Sequence, residues 1–137
     1  MILHCAYEEL MAIDTGIERI LEAGRGGVAA PPDVLPDLES LAPRLTGDLS
    51  IDTLEDQVSV QRALEFLLAE ARGRTDEFIL DESPAAESAI RSYFEYAHVL
   101  VVLDRIRLMG NEMRALIELM TGQPPTDEAA RRFAFDD

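Results

Sequence analysis

The stretch that follows Ser83-Pro84 constrains this chain more than any other. Serine can satisfy the free amides of a helix start. Proline loses nothing at the first helical position, where its missing N–H has no partner. From there Ile90, Phe94, Ala97, Val101, Met109, Met113, Leu116 and Met120 recur at helical intervals as far as Gly122. A helix over residues 84–121 would be a rod of ~57 Å at 1.5 Å per residue. A compact domain of 137 residues has a radius of gyration near ~14 Å, and so a diameter near ~37 Å. Either Gly110-Asn111 breaks the rod into two antiparallel pieces, or the rod stays whole and its end projects. Glycine costs ~1 kcal/mol against alanine inside a helix, which favours the break. A projecting end would carry Met109, Met113, Leu116, Ile117 and Met120 as an exposed apolar stripe, which implies a partner. Methionine fills irregular gaps in cores and is common on adaptable binding surfaces, so this set suits an interior or an interface.

The rest of the chain also reads as helix. Leu10, Asp14, Ile17 and Leu21 share a strip over residues 7–23, widened by Met11, Ile13 and Ile20, while Glu8, Glu9, Glu18, Arg19 and Glu22 point elsewhere. Gly24, Gly26 and Gly27 end that helix. After Pro31, Pro32 and Pro36, a short helix over 35–45 carries Leu38, Leu41 and Leu45, and Gly47 stops it. A third helix starts near Asp52, capped by Asp52 or Thr53 with Glu55 or Asp56 at the matching third position. Val60, Leu64, Leu67 and Ala71 carry it to about Arg72, with Gly73 as its expected end and Phe78, Ile79 and Leu80 as another turn or a short extended piece. Beyond Gln123-Pro124-Pro125, Thr126 can cap a short helix over 127–133. Residues 1–6 suit a short strand or a loose lead-in; a strand there, paired with residues 132–135, is the one exception to an all-helical chain that the pattern admits. The expectation is one all-α domain over residues 1–137, a bundle of four to five helices with a long C-terminal helix and room for a short N-terminal strand.

Charge restricts the functions open to such a bundle. Acids number 27 and bases 12, every base is arginine, and the net charge is −15. The absence of lysine excludes a Schiff-base lysine in this chain. The charge repels phosphate backbones and anionic membrane surfaces, so neither direct nucleic-acid binding nor a membrane partner is expected; a basic protein partner is permitted. The most apolar run, 99–103, is far shorter than the ~20 residues that span a bilayer. Cys5 is the one cysteine, which excludes an intramolecular disulfide and suits a cytoplasmic setting. The acid is unevenly spread. Residues 33–56 hold seven acids against Arg44 alone, residues 76–87 hold five acids and no base, and residues 88–114 hold four arginines and three acids. Asp48, Asp52, Glu55, Asp56, Asp76, Glu77, Asp81 and Glu82 therefore form the expected acidic face. Such a face is a solvated surface, a dock for a basic protein, or an imitation of a phosphate backbone.

Three side-chain constellations carry chemistry. Glu95 and His98, three apart on one helical face, match the spacing used in carboxylate-bridged metal bundles. With Glu65 or Glu70 from the preceding helix, a symmetric dimer would supply a fuller ligand set for a metal ion. The plainer reading pairs Glu95 with Arg91 at the surface. His4-Cys5 places a thiol beside an imidazole, but neighbours on an extended chain face opposite ways, which disfavours a nucleophile–base pair. Paired carboxylates are unavoidable at this acid content and point nowhere. No catalytic residue set and no cofactor motif stands out. The sequence therefore favours a non-enzymatic interaction protein: an adaptor, an inhibitor or immunity-type protein, or an assembly subunit. It would bind a protein partner or itself through Val101, Met109, Met113, Leu116, Ile117 and Met120 and through the acidic face. A dimeric metal-carboxylate bundle and an acidic nucleic-acid mimic are the alternatives.

Overall fold

The computed structural model describes residues 1–23, 31–80 and 86–135, with side chains throughout except at 23, 76–80 and 86–89. The fold is all-α with a small two-stranded antiparallel sheet. Its elements are β1 (Ile2–Leu3), α1 (Tyr7–Ala23), α2 (Leu35–Leu41) with a 3-10 turn at Ala42–Arg44, β2 (Leu49–Ser50), α3 (Leu54–Leu80), α4 (Ala86–Thr121) and α5 (Asp127–Arg132). β1 pairs with β2 in the register Ile2 to Ser50 and Leu3 to Leu49. The expected pairing of the first strand with residues 132–135 is thus corrected. Residues 134–135 run beside the segment entering α3, where the Phe135 amide donates to the Asp52 carbonyl and Thr53 bridges Ala134, and the Met1 amino group donates to the Phe135 carbonyl. None of the described helices is long and apolar enough to cross a membrane.

α3 and α4 form an antiparallel pair. Gln57, near the start of α3, bonds Ile106 of α4, while Arg74, far along α3, reaches Ser92 and Glu95. α1 also runs antiparallel to α4, since Arg19 meets Glu95 and Glu9 meets Arg105. The three helices bury Ile13 and Ile17 of α1, Leu64 and Leu67 of α3, and Leu103, Ile106, Met113 and Ile117 of α4. Each such side chain contributes about 1.5–3 kcal/mol relative to exposure. α2 is clamped to α3 through Asp37, a buried carboxylate that accepts two bonds from Arg62 and one from the Ser59 hydroxyl. At the start of α1 the Glu9 carboxylate reaches back and accepts the Ala6 amide. Thr53 caps α3 through the Asp56 amide, and Thr126 caps α5 through the Ala129 amide.

Two glycines behave against expectation. α3 does not stop at Gly73, and α4 does not break at Gly110. Past Gly73, Arg74 is anchored to Glu70 and to Glu95 across the helix pair, which holds the next turn in place. At Gly110 the missing side chain makes room. A Cβ there would lie 2.4 Å from the Gln57 amide nitrogen. That fully buried amide donates to the Ile106 carbonyl at 2.8 Å and to Gln61 at 2.9 Å. The helix also escapes the length limit without leaving its end bare, because one face stays buried from Ser92 to Ile117. The Ser83-Pro84 start, the glycines at 24, 26 and 27, and Asp81 and Glu82 lie outside the described residues, as do the side chains of Asp76 and Glu77.

The two glycines should therefore respond oppositely to alanine. Nothing lies within 4 Å of a Cβ at Gly73, so Gly73→Ala should raise the unfolding free energy by up to ~1 kcal/mol. Gly110→Ala should lower it by about 1–3 kcal/mol through overpacking against an amide that has no exit to water. In a Gln57→Ala background the Gly110 substitution should turn neutral or stabilising, and a double-mutant cycle in urea reads that coupling. Acid gives a second test. Burial alone would raise the Asp37 carboxyl, but the Arg62 guanidinium and the Ser59 hydroxyl outweigh it and hold the group below its ordinary value of 3.8. A depressed folded-state pKa stabilises the fold above the unfolded-state value and loses that contribution as pH falls through the folded one. Stability should decline below about pH 4, and Asp37→Asn should lower stability at neutral pH while flattening the acid decline.

Candidate functional site

α4 is apolar on two opposite sides. Val99, Ile106, Met113 and Ile117 face the core, and Ile90, Phe94, Val101, Leu108 and Leu119 are each at least half exposed. At about 100° per residue the second set forms one row, roughly opposite the first. Leu108 is 67% and Leu119 81% exposed, well beyond incidental surface leucine. The expected interface set is therefore corrected. Met109, Met113 and Ile117 belong to the core, Leu116 is half-buried, Met120 is exposed on a flank, and of the six only Val101 lies in the outer row. The sequence pattern merged two faces: eight residues separate Val101 from Met109, enough to carry the count about 80° round the helix.

Two grooves border the outer row. Tyr7 and Met11 of α1 face Phe94 and His98 of α4 across a groove of about 600 Å³, which Glu8, Thr15, Arg19, Arg91 and Glu95 also line. Phe94 meets Tyr93 edge-on at 6.4 Å between ring centroids and His98 at 6.5 Å. A second groove of about 480 Å³ lies between β1 and α4, lined by Met1, Ile2, Leu3, Leu108, Met109 and Glu112 with Arg105. Arg105 binds the Glu9 carboxylate and the His4 carbonyl, and so holds the N-terminal segment beside the middle of α4. The Glu9 carboxyl, which burial alone would raise, is held below its ordinary value by the Ala6 amide and the Arg105 guanidinium. Tyr7, Met11 and Ile2 thus extend the apolar row sideways. Sequence reading missed Tyr7 and Ile2 because each is an isolated apolar residue, joined to the patch only by the fold.

The expected metal ligands do not converge. Glu95 is buried and bound by two arginines, Arg19 at 3.0–3.1 Å and Arg74 at 2.9 Å, with Glu70 completing the cluster. This replaces the expected surface pair with Arg91. Gly16 of α1 leaves the space for it, since a Cβ there would lie 3.0 Å from Glu95 Oε1. The His98 Nδ1–H donates to the Phe94 carbonyl. Glu65 lies in a different groove, beside Tyr96 and Arg107, and accepts a bond from Gln61. Among the described residues no three histidine, cysteine or acidic side chains are placed to hold a metal ion.

Much of the expected acidic face is engaged inside the chain. Asp48 binds His4 and the Cys5 amide, Asp56 takes both ends of the Arg44 guanidinium, Glu55 meets Arg131, and Asp52 accepts the Ser50 hydroxyl. These bonds fasten the two-stranded sheet, the 3-10 turn and α5. His4 thus turns to Asp48 and away from Cys5, whose thiol burial pushes above its ordinary value, the opposite of an activated nucleophile.

Glu95→Gln should lower the unfolding free energy by about 2–4 kcal/mol, because it leaves two guanidinium groups facing a neutral amide in a partly buried cluster. Thermal melts with and without added manganese or zinc should coincide for both forms; a metal-dependent rise in wild type that Glu95→Gln abolishes would restore the ligand reading. No family model, curated protein or solved structure matches the chain, so its function must be argued from these residues alone.

Proposed function

We propose that this chain is a non-enzymatic protein-interaction module, an adaptor, inhibitor or assembly subunit, that binds through the outer face of α4. The observation that carries the reading is the exposed row Ile90, Phe94, Val101, Leu108 and Leu119 on a helix whose opposite face already fills the core. The row is interrupted by Asp104 and Glu112, yet soluble monomers rarely leave this many large apolar side chains in water along one helix face, and such patches mark contact sites. Aromatic residues beside it, Tyr7, Tyr93 and Phe94, are of the type that dominates contact energies. Charge supports the same reading. Arg19, Arg44, Arg62, Arg74, Arg105 and Arg131 each hold a carboxylate of their own chain, and the chain as a whole keeps a surplus of fifteen negative charges. That surplus keeps the protein dispersed and away from nucleic acid and anionic lipid while the apolar strip selects its partner. A cytoplasmic setting fits a chain with one free thiol.

A photo-reactive amino acid at position 101 tests this in the cells that make the protein. Position 101 should give a discrete protein adduct, and position 40, exposed on α2, should not. Equal yields at both sites, or none at 101, would count against the reading. The double variant Phe94→Asp/Leu108→Asp should melt within a few degrees of wild type, since both side chains are exposed, yet lose the adduct.

A further inference from the structure

We propose that the occupant of this face is a second copy of the same chain, whose α4 crosses antiparallel about a two-fold axis at Val101. The inference rests on the reading of the outer row as a binding surface and adds the identity of the partner. Phe94 and Leu108 each lie seven residues from Val101, two helical turns on either side, and all three are exposed. An antiparallel pair centred there sets Val101 against the partner's Val101 and Phe94 against the partner's Leu108. Seven-residue spacing is the repeat that lets two helices keep one seam in contact along their length. Ala97, one turn before Val101 on the same row, leaves room for close approach. Leu108 stands out from the helix, and the groove edged by Tyr7, Met11 and Phe94 offers an apolar seat for the partner's Leu108.

Charge favours a copy of itself over a basic partner at this face. A two-fold contact lays a patch on itself, so a patch of one sign repels. The chain carries −15 in total, yet residues 88–114 hold four arginines and three acids. Among these, Glu95 and Arg105 are engaged within the fold, and Asp104 pairs with Arg107 at 3.6 Å. With Glu8 and Arg19 of the adjoining groove counted in, these residues come to five arginines and four acids, too nearly neutral to draw a basic protein. Area agrees as well. The segment from Ile90 to Glu112 is ~33 Å long at 1.5 Å per residue, and α1 and β1 beside it double the breadth to about two helix diameters, ~20 Å. The footprint is on the order of 700 Å², close to the ~800 Å² per partner of a stable complex.

Sedimentation equilibrium of the full chain and disulfide trapping test the proposal together. Wild type should run as a dimer whose affinity tightens at least several-fold from 50 to 500 mM NaCl, because salt screens repulsion between two acidic bodies. Leu108→Asp should weaken the dimer at least ten-fold. With Cys5→Ser removing the native thiol, Val101→Cys should form an intermolecular disulfide on mild oxidation, and Ser40→Cys should not. A wild-type monomer with no Val101→Cys disulfide would overturn the second-copy inference. In that event a photo-adduct at position 101 with a different protein would leave the binding-face reading standing. A dimer unaffected by Leu108→Asp, with cross-linking at Ser40→Cys, would overturn the second-copy inference, and the absence of any photo-adduct at position 101 would overturn the binding-face reading with it. Far-ultraviolet circular dichroism of each variant confirms that it is folded.

Discussion

The close antiparallel contact of α3 with α4 governs the rest of the structure, and it depends on polar side chains admitted by glycine. Gly110 gives the buried Gln57 amide its place, and that amide ties the start of α3 to the Ile106 carbonyl of α4. Gly16 does the same for Glu95, which draws Arg19 from α1 and Arg74 from α3 onto one carboxylate. A buried charge without such partners costs several kcal/mol. These two contacts therefore specify how the helices meet, while the aliphatic layers between them supply most of the cohesion. A slide of α3 along α4 by one turn would carry Gln57 off its glycine and Arg74 off Glu95 together. Apolar packing alone would not penalise that slide so sharply.

The same contacts account for how the chain uses its arginines. Arginine suits these roles because its planar fork can grip a carboxylate at two points, as Arg44 does with Asp56 and Arg62 with Asp37. Each such pair binds two segments of chain: the 3-10 turn to α3, α2 to α3, the N-terminal segment to α4. Pairing does not alter the charge of −15, which is set by 27 acids against 12 arginines, but it commits much of the positive charge to contacts within the fold.

The sequence was legible where local rules act alone. α1 has the bounds expected from its apolar strip, and Thr126 caps α5 as its position implies. It was misleading where a distant residue decides. Gly73 and Gly110 read as stops because glycine weakens an isolated helix, but Arg74 and Gln57 supply tertiary contacts that outweigh that cost. Glu95 and His98 were correctly placed on the same side of one helix, and both line the groove beside α1. The arginines that claim Glu95 come from residues 19 and 74, which no local spacing connects to it. The interface set failed for a different reason. Counting hydrophobic residues in steps of three and four lets a long helix drift from one face to the other, and only a fixed 3.6-residue period separates Val101 from Met113.

The drift also explains what kind of helix α4 is. An amphipathic surface helix has one apolar stripe and a wet opposite side. α4 has an apolar row on each side, and the charged residues between them largely neutralise one another, as Arg107 does with Asp104 and Glu65. The proposed contact would bury this second row as the fold buries the first. The inner row is satisfied by α1 and α3, which share its chain and are always present. Burial of the outer row by the proposed second copy would depend on concentration, and stability gained there would be gained by mass action. On that reading the net negative charge would hold other encounters weak while the apolar row selects its partner.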